Sequence, residues 1–215
     1  MAGLRDRQRS SRRLRIIETA RRLFNSLGYQ ETTLEEIASQ SELSTVTVLN
    51  YFGSKGGLLV AIQTRFDDEL RSGIAPIIAD PPDGPVEAVG EFFTIVFDHA
   101  LRTLERHVWK HVWANLFLEA GTELGRGLAQ NERELLDDFI VLLDRLQKRG
   151  ALAAAVDLRA LGEVLYNLQS IRSMQLMSTP EMSRKELYEA MFRDFRLVLH
   201  PYLRTPRRRR TRPRQ

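Results

Sequence analysis

Apolar residues recur at a 3.6-residue period along nearly all of this 215-residue chain, and no stretch alternates residue by residue as a half-buried strand would. That pattern restricts the chain to helices packed on helices, an all-α fold. The first helix is expected from about Ser10 to Ser26, with Ile16, Ile17, Ala20, Leu23, Phe24 and Leu27 on one face and Gly28 as its stop. Thr33 opens a second, short helix; its hydroxyl can cap the helix while Glu36 reaches back, which forms a capping box. A third short helix runs from Ser44 to near Phe52. Ser54 can cap a fourth, carrying Leu58, Leu59, Ile62, Phe66 and Leu70 and ending around Ser72 or Gly73. The stretch from Asp80 to Pro85, with three prolines and a glycine, is the clearest break. Beyond it helices are expected over 85–104, 106–120, 123–149, 157–178 and 183–203, about nine in all.

Several function classes are closed by what the sequence lacks. There is no cysteine, so disulfides, thiolate metal sites and cysteine nucleophiles are excluded. Four histidines (His99, His107, His111, His200) leave little from which to build a catalytic centre. No nucleophile with its base and no paired carboxylates stand out, so an enzyme is not expected, nor a cofactor. His107 and His111 have the i, i+4 spacing of two metal ligands on one helical turn. No third ligand is evident, and solvated side chains are the expected reading. The N-terminus carries charge instead of an apolar run, and nothing approaches a membrane span of ~18 apolar residues. The cytoplasm is the expected compartment.

Charge is unevenly spread. Residues 1–22 hold eight arginines against Asp6 and Glu18, and the last twelve residues hold seven arginines and no acid. The remaining body is therefore acidic although the whole chain is +4. A basic end on an acidic body suits a nucleic-acid-binding end and a body that stays off DNA. Residues 1–9 read as a flexible basic arm, with Arg5, Arg7, Arg9, Arg12 and Arg13 available to a groove or backbone, or simply solvated. Residues 204–215 read as a disordered tail.

Residues 33–52 carry the most information. Two short helices joined by Gln40-Ser41-Glu42-Leu43 must cross steeply, as in a helix-turn-helix. Leu34, Ile37, Leu43, Val48 and Phe52 would pack against the first helix. That leaves Thr45, Val46, Thr47, Leu49, Asn50 and Tyr51 on the outer side of the third, and no acid occurs from Ser44 to Lys55. Such a face fits a major groove.

The longer string is more specific. Arg13 through Phe24, Gly28-Tyr29, Thr32-Thr33-Leu34, Glu36-Ile37-Ala38, Leu43-Ser44, Thr47, Tyr51-Phe52, Ser54-Lys55 and Leu58 together resemble the TetR family of bacterial repressors. The resemblance implies a helix-turn-helix DNA-binding domain over 10–53, a connecting helix and loop over 54–84, and a ligand-binding and dimerisation domain over 85–203. It implies a homodimer on a palindromic double-stranded DNA operator, released by a small-molecule effector; a ligand-independent regulator or an activator is the alternative. Thr33 and Lys55 take the family's phosphate-contacting positions, and Ser44, Thr45, Val46, Thr47, Leu49, Asn50 and Tyr51 the recognition helix. Three departures stand out. Glu42 replaces the usual turn glycine, Val46 and Leu49 replace a common glycine and a DNA-contacting tyrosine, and Gly56-Gly57 replace common acidic residues, weakening the start of the fourth helix.

Past Pro85 no shared motif continues. Phe92, Phe93, Val96, Phe97, Ala100, Leu101 and Leu104 form one helical stripe, and Val108, Trp109, Val112, Trp113, Leu116, Phe117 and Ala120 another. Plain core is the first reading of such stripes. With the resemblance added, Phe97, Trp109, Trp113 and Phe117 become candidates for a ligand pocket. Glu119 and Arg172 project within apolar arcs, so either could select a ligand by charge, or could pair with other residues and touch none. The last two helices resemble the family's dimer-forming pair, with Leu161, Leu165, Leu168, Leu187, Met191 and Phe195 as candidates for the seam.

Overall fold

A computed structural model describes residues 3–118 and 121–204. Among them the chain forms α1 (Leu4–Leu27), α2 (Leu34–Gln40), α3 (Thr45–Phe52), α4 (Lys55–Ala79), α5 (Pro85–Thr103), α6 (Arg106–Leu118), α7 (Glu123–Lys148), α8 (Leu158–Ser178) and α9 (Arg184–Leu199), then a 3-10 turn over His200–Tyr202. The only β pairing among the described residues is an isolated bridge between Leu152 and Leu203.

The predicted starts are realised by named hydrogen bonds. Thr33 Oγ1 accepts from the Glu36 amide at 3.1 Å, and Glu36 Oε2 accepts from the Thr33 amide at 2.8 Å. Both halves of the capping box are therefore present, at the helix end where four amides lack intrahelical partners. Ser44 Oγ accepts from the Thr47 amide at 3.2 Å and Ser54 Oγ from the Gly57 amide at 3.0 Å, fixing both ends of the recognition segment.

Two boundaries differ from expectation. α1 begins at Leu4, so residues 4–9 of the stretch read as a flexible arm are its first turns. Periodicity marks a helix only where an apolar face is buried; Arg, Gln and Leu are good helix formers, and nothing before Ser10 breaks the helix after Gly3. α4 runs on to Ala79, through Gly73 and Pro76. Ile74 and Ile77, 1% and 6% exposed, bury into the core there. That burial outweighs the roughly 1 kcal/mol that a helical glycine costs.

Two apolar clusters organise the molecule. The first joins Ile16, Ile17, Phe24, Ile37, Val48, Leu58 and Ile62 to Leu104, Val108 and Val112, so the start of α6 completes the core of the N-terminal domain. The second packs α4, α5, α7, α8 and α9 around Phe92, Phe93, Phe139, Phe195 and Tyr166. α4 contributes to both, Leu58 and Ile62 to the first and Ile74 and Ile77 to the second.

Five of the six residues expected at a dimer seam belong to this second core. Leu161, Leu165, Leu187, Met191 and Phe195 are 5%, 0%, 0%, 1% and 0% exposed within the single chain, so they cannot form an outer face. Leu168 is half-buried. The reason is that α8 is apolar on two faces, and sequence does not say which is turned inward. Val164 and Ile171, 49% and 56% exposed, hold the outer one.

Candidate functional site

The first half of the site is the surface of α3. Val48 is buried in the N-terminal core, which turns the opposite side of the helix outward: Val46 is 65% and Leu49 40% exposed, and Ser44 and Asn50 are exposed beside them. Thr45, Thr47 and Tyr51 are half-buried at the margins. Thr47 Oγ1 lies 2.9 Å from Ser44 Oγ, and Tyr51 Oη donates to the Arg9 carbonyl at 3.5 Å. The early turns of α1 therefore lie beside the recognition helix, with Arg7, Arg9, Arg12 and Arg13 exposed, and Arg13 sits 5.5 Å over the Phe52 ring. Thr33 is exposed at the start of α2.

Lys55 is turned inward more than its expected role suggests. Its ammonium donates to the Gln30 and Thr32 carbonyls, at 3.2 and 3.0 Å, and lies 4.7 Å over the Tyr29 ring. One of three N–H donors remains for a phosphate.

Glu42 and Gly57 account for two of the sequence departures. Glu42 takes the positive φ, 56°, that the turn demands, and Arg15 pairs with its carboxylate at 3.1 Å. Gly57 has a steric purpose: a Cβ there would stand 1.9 Å from the Phe52 carbonyl oxygen. The glycine that weakens the start of α4 is what lets α4 pass close under the end of α3.

The second half is a cavity of about 110 Å³ among α4, α5, α6, α7 and α8. Phe97, Trp109 and Trp113 line it as expected; Phe66, Leu70, Tyr166 and Met177 complete the apolar wall. Trp109 is fixed by its indole N–H, which donates to the Ala100 carbonyl at 3.0 Å. Phe117 does not reach the cavity: α6 emerges from the bundle in its last turn, leaving Phe117 66% and Leu118 80% exposed. Arg172 is also outside the wall. It donates to Asp194 at 2.7 Å and Gln175 at 2.9 Å, tying α8 to α9. Glu119 lies outside the described residues, as do residues 205–215 of the tail.

The sequence did not mark the cavity's polar members as site residues, because each stands singly among the apolar residues of its own helix and only the packed bundle brings them together. Asp67 and Arg71 come from α4, His99 from α5, and Asn131, Glu132 and Asp138 from α7. Arg71 pairs with Glu134 and lies 3.7 Å from Asp138. Among the described residues no cation pairs with Glu132: Tyr166 Oη donates to it at 2.7 Å, and burial still holds its carboxyl above the usual range. Burial, with the neighbouring Arg102, pushes the His99 ring down and keeps it neutral.

The two halves are joined through α1. Asn25 Nδ2 donates to the Thr103 carbonyl at 3.2 Å, while its Oδ1 accepts from the Glu105 amide at 3.0 Å. His107 Nε2 lies 3.2 Å from the Phe24 carbonyl, and His111 stacks on Tyr29 with ring centroids 4.9 Å apart. These histidines are interdomain contacts, not the freely solvated pair the spacing suggested. Among the described residues no cluster of three His, Asp or Glu side chains has metal-binding geometry.

Comparison with known proteins agrees with this geometry. Residues 16–62 match the family described as bacterial regulatory proteins, tetR family. Over 167 residues the chain is 28% identical to the HTH-type transcriptional regulator BetI of Burkholderia mallei, covering 67% of this chain and 84% of that protein. FadR of Thermus thermophilus, a TetR-family transcriptional repressor solved with lauroyl-CoA, superposes with a TM-score of 0.71 at 25% identity, over 91% of this chain and 97% of that one. Residues 16–62 therefore carry a TetR-family DNA-binding module, and the rest of the chain is similar to TetR-family regulators. A transcriptional-regulator structure from Saccharomonospora viridis in complex with choline shares the fold, with a TM-score of 0.67 at 20% identity, over 91% of this chain and 100% of that one. No helix among the described residues is long and apolar enough to cross a membrane.

Proposed function

We propose that the protein is a homodimeric repressor that grips a palindromic operator with α3 and lets go when a small molecule fills the α4–α8 cavity. The observation that carries this reading is that the cavity wall also holds the DNA-binding domain. Thr103 and Phe66 both line the cavity. Thr103 accepts from Asn25 of α1, and Arg21 of α1 sits 5.6 Å over the Phe66 ring. A ligand that moves either wall residue re-aims α1, and with it α2 and α3.

Operator release needs two copies. Recognition helices must stand about 34–36 Å apart to enter successive major grooves on one face of DNA. A change of a few ångströms in that separation is enough to lose the match, provided the ligand favours one dimer shape over the other. The exposed apolar residues Val164 and Ile171 of α8 and Leu197 of α9 supply a face for a second copy, with Leu168 between the first two.

Within α3, Val46 and Leu49 suit thymine methyl groups and Asn50 a base edge, while Thr33, Thr47 and the remaining Lys55 donor suit phosphates. Selection from a random duplex library at physiological salt tests the reading. Enrichment of a palindrome with half-sites about one helical turn apart is the expected result. An enriched site without twofold symmetry, or none, would sink it.

A further inference from the structure

Four buried side-chain atoms in the cavity wall have no hydrogen-bond partner: Gln63 Oε1, His99 Nε2, Trp113 Nε1 and Asn131 Nδ2. Only one other such atom, Arg106 Nε, occurs among the described residues. Folded proteins pair nearly all such groups, so their gathering in one wall marks a place prepared for a polar guest.

The wall also states what kind of guest. His99 Nε2 is unpaired, and burial favours the neutral ring. With the ring proton on Nδ1, Nε2 is a bare acceptor, like Gln63 Oε1. Trp113 and Asn131 offer donors. Protein atoms surround Glu132 closely, yet the residue keeps accessible surface, and that surface is cavity wall. The one arginine in the wall, Arg71, is engaged with Glu134 and Asp138. Water can satisfy donors and acceptors singly, but it does not balance the charge on Glu132.

We propose that the cavity takes a protonated amine carried on an aromatic or other flat apolar body, with Glu132 as its counter-ion and Gln63 and His99 as acceptors for its N–H groups. The proposal rests on the effector reading above for its effect on DNA, though not for binding itself. Phe66, Trp109 and Trp113 give the cation aromatic faces and its body an apolar bed. The two bare acceptors separate this class from quaternary ammonium compounds, which bring charge without a donor.

Four probes of one shape decide the matter by calorimetry on the full-length protein: phenethylammonium, its N-trimethyl analogue, 2-phenylethanol and 3-phenylpropionate. Phenethylammonium is expected to bind at least about tenfold tighter than the alcohol and the quaternary analogue, with the carboxylate weakest. In Glu132→Gln the preference for the ammonium over the alcohol should disappear while the alcohol binds as before. Equal or tighter binding of the alcohol or carboxylate, an unchanged preference in Glu132→Gln, or no binding by any probe would overturn the assignment. The selectivity of the unaltered protein decides the question even if Glu132→Gln folds poorly. Anisotropy of a labelled operator, read alongside, separates the two levels. Glu132-dependent binding without DNA release keeps the ligand class and removes the effector role.

Discussion

Glu42 shows how one side chain can hold an unfavourable backbone. Its φ of 56° is a conformation that costs an ordinary residue roughly 1 kcal/mol, and its exposed ion pair with Arg15 repays little. Glu42→Gly should therefore raise unfolding stability by about 0.5–1 kcal/mol, measured by urea denaturation, without altering the fold. Glu132 stores a different cost. Burial raises its carboxyl above 4.5, so between that value and the raised one the folded protein binds more protons than the unfolded chain. Its contribution to stability is therefore full below about 4.5 and is lost as pH rises through the raised value. Glu132→Gln, which never bears the charge, should be more stable than the parent at neutral pH, and the gap should narrow as the solution is acidified. Thermal melts of both proteins across that range give the sign directly.

Among elements, the junction of α1 with the α5–α6 corner matters most. Asn25 satisfies a carbonyl and an amide that no helix supplies, at the point where α5 ends and α6 begins. Asn25→Ala should cost about 1–2 kcal/mol of stability. It should also weaken ligand-driven release from DNA while leaving ligand affinity nearly unchanged, read as calorimetry beside operator anisotropy. The α3–α4 corner has less tolerance. Gly57→Ala forces a methyl group against the Phe52 carbonyl, so α3 or α4 must shift. Operator affinity should fall at least about tenfold in a protein that remains helical by circular dichroism.

At the scale of the whole molecule, the proposed function depends on two copies meeting across α8 and α9. Ile171 is 56% exposed on a face with Val164, and a charge placed there would be buried by association. Ile171→Glu should give a folded monomer by light scattering, with operator affinity reduced by about a hundredfold or more because two half-sites are no longer held together. A dimer of unchanged stability would move the interface elsewhere on the surface.

Much of this molecule was legible in its sequence. The helical period, the Thr33–Glu36 capping box, the helix start at Ser44, the Ser54 cap and the proline-rich break are local signals, and local hydrogen bonds and sterics suffice to produce them. The ordered string from Arg13 to Leu58 was enough to suggest the family. Tertiary structure decided what local signals cannot rank. Leu161, Leu165, Leu187, Met191 and Phe195 became core because α8 and α9 have more apolar surface than one interface needs, and packing alone chooses which stripe turns inward. Arg172 found Asp194 instead of a ligand, His107 found the Phe24 carbonyl of α1, and His111 found Tyr29 just beyond it. Glu132, His99, Gln63 and Asn131 converge on one cavity from three helices far apart in the chain. Periodicity along a single helix contains no record of where other helices will bring their polar atoms, so that convergence exists only once the bundle has closed.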